Sequence, residues 1–577
     1  MSRLSGALTG AGIATLLPAG VAAWGAAVNP WFLDVPLSYF GVAVLPAALL
    51  GAVLGAVVNR GSTRIGGGLL AAAVAVVFLA AVRPTPAPVS PKLLIYGIDG
   101  AGWSLLDDLE TPILDGLAQE GSRAILHSRE PMFSPLLWTT MASGKVPDEH
   151  NIHGFRTQAD HCSAARLWDI AGDAGQSFGI YKWLVTWPIY TPPAGGFIVP
   201  AWLAPQPDTF PTELSFVKEI ELSRRLKRKK VAGTRSSAQL VLAGIPQGLR
   251  FSTLLSAVSW SLRERIGRPN DLERSWRLQL LRVWMDRDVF IASLHSAEPD
   301  FVTFTTYATD ALGHTHWDLM NDCEPAGCPG WSNAVPDAYR QADAVLGEIL
   351  ENVTDDTAVM VVSDHGFRSR SEADAGRYFS PLTERIRDRI IEDVGAVDVA
   401  RLGHKITVSL LDDDAAAQKV ALETWLADLT QSSTGEPFYR WEDLPDSKRA
   451  VGLTLRDELL EDEQLETDTV LGEPITDYVK RTEGYAGEHD YDGIILVRGP
   501  GVSAGVEAEP VELLDVAPTA LTLLGLPAAE DMPGEVVFGD PLPRVVTHGG
   551  ALPVFEGGSG EEEDYNEEQL RALGYIE

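Results

Sequence analysis

Lys92-Leu-Leu-Ile-Tyr-Gly-Ile-Asp99-Gly100 is the stretch that decides the fold class. It is a short unbroken apolar run closed by an acid and a glycine. Such a run, bounded by turn residues, suits a strand buried on both faces, as in a parallel sheet covered by helices. Leu105, Leu106, Leu109, Leu114 and Leu117 then recur as a helix pattern. The apolar runs Phe301–Ala308, Ala358–Ser363 and Gly493–Gly499 repeat the arrangement, each beside an acid or a histidine and separated by helical stretches. The expectation is an α/β domain with a mostly parallel sheet sandwiched by helices. Two stretches break the alternation. Residues near 205–290 are helical and locally basic, and residues near 375–480 mix short strands and helices with many acids. Both are expected to be insertions that cap the sheet's active edge.

Toward the N-terminus the chain changes character. Leu4 to Leu33, Val35 to Asn59 and Ile65 to Val82 carry no charge. About 20 apolar residues cross a bilayer as a helix. Three transmembrane helices are therefore expected, near 6–28, 37–58 and 66–82, making residues 1–83 a membrane anchor. Cleavage of the first segment as a signal peptide is the rival reading. Arg3, Arg60 and Arg64 put the N-terminus and the second loop in the cytoplasm by the positive-inside rule. That predicts a multi-pass protein of the cell membrane with its main domain on the extracytoplasmic side. Residues 84–91 read as a Pro-rich, semi-rigid linker, 92–556 as the domain, and 557–577 as an acidic tail.

Over 577 residues, 46 Lys and Arg against 80 Asp and Glu leave a formal net charge of −34. So acidic a chain repels nucleic acid, and no nucleic-acid partner is expected. The three cysteines, Cys162, Cys323 and Cys328, form no Cys-x-x-Cys, which argues against a cysteine-based zinc site. Cys323 and Cys328 flank Glu324-Pro-Ala-Gly327 and read equally well as a local disulfide or as two free thiols.

Acids and histidines gather beside the strand candidates. Asp99 closes the first, Asp310 and His314 follow the second, Asp364 and His365 close the third, and His489 precedes the last. Carboxylate and imidazole form the ligand set of zinc, manganese or iron, and open α/β sheets bind ligands beyond the carboxyl ends of their strands. A lone acid at a strand end is usually a helix cap, and a lone buried histidine is usually a core hydrogen-bonder. Four distant segments supplying both types weigh more than any one of them. Between the first two groups lies Met132-Phe-Ser134-Pro-Leu-Leu-Trp-Thr-Thr-Met-Ala-Ser143-Gly144. Ser134 before a proline and a helix could be a plain cap. The same helix start would also supply amide donors and a positive dipole to a phosphoryl group.

At this point the sequence resembles the alkaline phosphatase superfamily, in its type I phosphodiesterase/nucleotide pyrophosphatase branch. The resemblance runs from about Lys92 to about Gly534, on LLIYGIDG, SPLLWTTMASGKVPDEHNIHGF, DALGHTHW, VVSDHGF, GEHDYDGIILVRGPGV and LLDVAPTALTLLGLP. It implies an alkaline-phosphatase-like sheet and two divalent metal ions, usually zinc. Asp310, His314 and His489 would hold one metal, and Asp99, Ser134, Asp364 and His365 the other. Ser134 would be the nucleophile of a hydrolase acting on phosphate esters, a phosphodiesterase or phosphatase, through two-step in-line transfer. One departure stands out. Nucleotide pyrophosphatases carry an asparagine 21 residues after the nucleophile, where this chain has Phe155. That puts a nucleotide substrate in doubt, with Asn151 or His153 as substitutes. The nucleophile motifs of alkaline phosphatases and sulfatases are both missing. A phospho-headgroup transferase acting on lipid or glycan is the alternative activity, and a non-catalytic binding protein a third reading.

A last feature bears on partners. Arg224-Arg-Leu-Lys-Arg-Lys-Lys230 is a basic run, and Phe251, Leu254, Leu255, Val258, Leu262 and Ile266 follow at helical spacing. This reads either as an interfacial helix, with the membrane as partner and a lipid-linked phosphate ester as substrate, or as a solvated cap helix.

Overall fold

In a computed structural model of the protein, the described residues are 25, 28–32, 86–226, 235–320, 329–369, 378–402, 405–412, 414–444, 447–456, 468–482 and 487–555. They fall into two compact units. One is drawn from 1–89, 232–269 and 281–296, the other from 90–231, 270–280 and 297–577.

The larger unit is built on one sheet. Its strands are β1 (Leu93–Ile98), β2 (Ser122–His127), β3 (Phe178–Tyr181), β4 (Gly196–Val199), β5 (Phe301–Thr306), β6 (Ala358–Val362), β7 (Asp492–Arg498) and the short β8 (Val506–Glu507) and β9 (Val511–Glu512). Their order is β8-β2-β7-β6-β1-β5-β3-β4, with β9 also on β2. From β6 to β4 all neighbours run parallel. Every residue of β1, β5 and β6 is buried, which is why each reads as an unbroken apolar run. Leu93, Ile95, Trp138, Met141, Trp168, Phe178, Phe301 and Met360 share the main core beside it.

One strand departs from the parallel set expected of it. β7 is antiparallel to both β2 and β6. An apolar run records burial and carries no direction, so the sequence could not show this. The reversal puts the start of β7 at the edge where β6 and its parallel neighbours end.

Residues 378–482 of the same unit hold a four-stranded antiparallel sheet, in the order Tyr439–Asp443, Ala450–Leu455, Lys405–Leu410, Val397–Leu402. Helices Thr383–Asp393 and Ala415–Asp428 accompany it. Ile386, Val399, Val408, Leu422, Leu426 and Leu453 give it a core of its own. It grips the segment around residues 148–156. Lys448 N donates to Asp148 Oδ2 at 3.1 Å, Ser409 Oγ to His153 O at 3.3 Å, and Arg156 Nε lies 3.3 Å from Asp398 Oδ1.

In the smaller unit, helix Phe251–Gly267 buries Thr253 and Trp260 and leaves Val258, Leu262 and Ile266 exposed. Phe251 N donates to Phe32 O at 2.9 Å, and Asn29 Nδ2 to Leu249 O at 3.0 Å. Asp288 is buried between Arg250 and Arg287.

The three transmembrane helices expected near 6–28, 37–58 and 66–82 are not found. Among the described residues no helix is long and apolar enough to cross a membrane. The reason there is charge. The longest described helix, Asp271–Ala297, carries Arg274, Arg277, Arg282, Asp286, Arg287 and Asp288, and a charge at the bilayer centre costs about 2.5–3.5 kcal/mol. The expected location, a multi-pass cell-membrane protein with an extracytoplasmic domain, is corrected with them, and the membrane partner and the lipid link have no support. Most of the three segments, Cys323, Cys328, Lys227 to Lys230 and the tail 557–577 lie outside the described residues.

Candidate metal centre

Strand ends and one helix deliver the ligand candidates. Asp99 follows β1, and its N–H donates to Thr306 O on β5 at 3.0 Å. Helix α2, Ala308–His316, carries Asp310 and His314 four residues apart, and so on one face. (Helix α1 is Ser134–Ser143.) Asp364 and His365 follow β6. Ser363 Oγ shapes that turn, donating to His365 O and accepting from Ala101 N. Gly366–Arg368 then pairs antiparallel with Glu488–Asp490, placing His489 opposite Phe367. His489 is thus brought in just before β7, at the shared edge.

The six residues form two groups, Asp310 with His314 and His489, and Asp99 with Asp364 and His365; within each, potential ligand atoms lie within 4.8 Å of one another. Asp310 Oδ1 lies 3.2 Å from His314 Nε2, 3.5 Å from His489 Nε2 and 4.0 Å from His365 Nε2. His365 Nε2 lies 3.6 Å from both Asp99 Oδ1 and Asp364 Oδ2. The groups therefore adjoin. Asp99, Asp364 and His365 are almost wholly buried, and Asp99 Oδ1, Asp310 Oδ1, Asp364 Oδ2 and His365 Nε2 have no hydrogen-bond partner. Buried polar atoms without partners are costly, about 1–3 kcal/mol each, unless something else meets them.

The donor set fits divalent metal ions. His365 Nδ1 lies 2.9 Å from Gly366 O, and His489 Nδ1 lies 3.1 Å from Met132 O. A carbonyl partner assigns the proton to Nδ1 and leaves the Nε2 lone pair for a metal. The electrostatics agree. Burial, then the neighbouring carboxylates Asp364 and Asp310, hold Asp99 well above the usual carboxylate range. Burial likewise raises Asp364, while His365 opposes it. Burial would raise Asp310 too, but His314 and His489 outweigh it and hold that carboxyl low. Burial, then His365, lowers His489 to about 3. Carboxylates crowded out of water in this way call for cationic charge.

Ser134 opens α1 and is buried. The segment around it is tied to both groups: Met132 O to His489, as above, and Trp138 Nε1 donating to Asp99 Oδ2 at 2.9 Å. Trp138 lies one helical turn from Ser134, the only sequence signal that could have marked it. Phe367 was also passed over, although it directly follows Asp364-His365-Gly366. Phe155 is buried, its ring 5.5 Å from Phe133 and 6.2 Å from Trp202. It brings no hydrogen-bond donor to its position. Of the two candidate substitutes, Asn151 is exposed, with Nδ2 donating to His161 O at 3.2 Å, and the buried His153 lies near Asp148 and Arg449.

The family model for type I phosphodiesterase/nucleotide pyrophosphatase matches residues 93–447. No curated protein matches the chain. Among solved structures, human ectonucleotide pyrophosphatase/phosphodiesterase 5 is similar at 13% identity and a TM-score of 0.40, over 78% of this chain and 96% of that one. Its murine counterpart is similar at 13% and 0.40, over 75% and 95%. An inactive form of the murine protein in complex with AMP gives 13% and 0.39, over 76% and 96%. Likenesses so distant decide nothing about substrate. The family model, by contrast, covers more than half of the chain. The chain belongs to the type I phosphodiesterase/nucleotide pyrophosphatase family and is a phosphodiesterase-like hydrolase of the alkaline phosphatase superfamily.

Proposed function

We propose that this chain hydrolyses phosphate esters with Ser134 as nucleophile at a two-metal centre. Asp310, His314 and His489 would hold one ion, and Asp99, Asp364, His365 and the Ser134 hydroxyl the other, with zinc the expected metal. Such ions supply Lewis-acid neutralisation of phosphoryl charge and a lowered pKa for the serine hydroxyl. Ser134 Oγ attacks phosphorus, its proton passes to solvent, and the ester oxygen departs opposite it and takes up a proton from solvent. The start of α1 presents its positive dipole end to the phosphoryl group. Water then cleaves the phosphoserine and restores the hydroxyl. Trp138 orients Asp99 throughout, through the indole hydrogen bond. Phe155 offers the phosphoryl group no donor, so the proposal names phosphate esters as a class and no nucleotide.

The observation that carries this reading is the pair of adjoining triads, in which Asp99 Oδ1, Asp310 Oδ1, Asp364 Oδ2 and His365 Nε2 are buried without a hydrogen-bond partner. Elemental analysis of the purified chain tests it. About two transition-metal ions per chain are expected, and His489→Ala should lose one preferentially. A metal-free protein with full activity toward diester and monoester panels would sink the proposal.

A further inference from the structure

The helix that carries Asp310 and His314 has a glycine between them. Gly313 lies in ordinary helical backbone, where alanine would normally be favoured. Space explains the glycine. A Cβ there would lie 2.8 Å from both Cε1 and Cζ of Phe367. The same ring presses on two more glycines from separate segments. A Cβ on Gly100, next to Asp99, would meet Phe367 Cε2 at 2.7 Å, and one on Gly487, two residues before His489, would meet Trp317 Cγ at 2.7 Å and Phe367 Cδ1 at 2.9 Å. Gly100 has a second reason in its φ of 72°.

Three imidazoles also lie against this ring. His314 stands edge-on to it at 5.2 Å and 82°, His489 at 5.2 Å and 71°, and His365 is tilted at 5.7 Å and 58°. Trp317 stacks behind at 5.5 Å. Phe367 itself is buried. An imidazole's χ2 is a broad torsion, so a ligand histidine needs a wall as well as a hydrogen bond to aim its nitrogen. Here one ring is wall to all three.

We propose that Phe367 is a positioning residue for both metal groups at once, and that Gly100, Gly313 and Gly487 lack side chains so that the ring can reach the three imidazoles. The inference rests on the two-metal reading above. It sets Phe367 apart from any single ligand. Loss of His489 empties one group, whereas loss of the ring loosens His314 and His489 in one group and His365 in the other.

The test is metal binding by the full chain, stripped of metal and titrated with zinc against a chromogenic chelator. The absorption spectrum of the cobalt-loaded form reports ligand geometry. Phe367→Ala should weaken both zinc-binding steps, by about 10- to 100-fold, and alter the cobalt spectrum. Phe367→Leu, which keeps more of the apolar volume, should move both in the same direction by less, and serves if the alanine variant does not fold. Gly313→Ala should reproduce the effect from the opposite side, and combining it with Phe367→Leu should recover part of the loss, because the smaller side chain makes room for the added methyl. If Phe367→Leu and Gly313→Ala bind zinc as the wild type does and change only the melting temperature, the ring is ordinary core and the inference is overturned. A wild-type chain that binds neither zinc nor cobalt overturns the two-metal reading, and this inference with it.

Discussion

Acid should loosen the turn that follows α1, and His150 is the group responsible. It is fully buried. Its Nε2 lies 3.0 Å from Thr140 Oγ1 on α1, and its Nδ1 accepts from Ile152 N at 3.1 Å. Nδ1 is therefore the acceptor nitrogen, and the neutral ring ties the turn to the helix through Nε2. Burial, with His153 adding, lowers its pKa from the ordinary 6.5 to about 3. The folded chain thus refuses a proton that the unfolded chain accepts. Stability from this group is fully present above about pH 6.5 and is lost as pH falls from there toward 3. One proton is worth about 1.4 kcal/mol per pH unit, so going from pH 7 to pH 5 costs about 2 kcal/mol through His150 alone. His150→Gln retains a donor and an acceptor but nothing that titrates there. The variant should be less stable than the wild type at pH 7. Between pH 7 and pH 5 it should lose about 2 kcal/mol less than the wild type loses. Urea unfolding followed by tryptophan fluorescence measures both, with Trp138 on the same helix. Equal losses in the two proteins over that interval would refute the reasoning.

Two further outcomes follow from the site and its supports. Ser134→Ala should fold normally and lose several orders of magnitude in turnover; wild-type activity in that variant would point to direct attack by water, and a phosphorylated Ser134 trapped with a slow substrate would exclude it. Gly97→Ala on β1 would place a Cβ 2.5 Å from Trp138 Cη2 and 2.9 Å from Thr305 Cγ2. Overpacking of this kind costs about 1–3 kcal/mol, so the melting temperature should fall, and zinc affinity should fall too because the displaced indole is the one that holds Asp99.

Much of the fold was legible because burial on both faces leaves a local mark. Leu93–Ile98, Phe301–Thr306 and Ala358–Val362 had to be apolar throughout, and the turn residues that end them had to be polar. Asp99, Asp364 and His365 were therefore visible as acids and imidazoles at strand ends, and Asp310 and His314 as a pair one helical turn apart. Ser134 was visible as a hydroxyl at a helix start. The expected membrane spans rested on lack of charge over some twenty residues, which is a necessary condition for a span and not a sufficient one.

Other features depended on which distant segments meet, and no local pattern encodes that. The resemblance to a family, not spacing, divided the ligands into two groups before the triads were seen. Hydrophobicity cannot report strand direction, so the reversal of β7 that carries His489 to the shared edge appeared only in the sheet. Trp138 and Phe367 read as ordinary core aromatics, and only three-dimensional packing turns one toward Asp99 and the other toward three imidazoles. The sequence by itself determined which residues could bind metal, because that is a property of side-chain chemistry. The tertiary structure decided which of them meet and what holds them in place, because that depends on contacts between segments far apart in the chain.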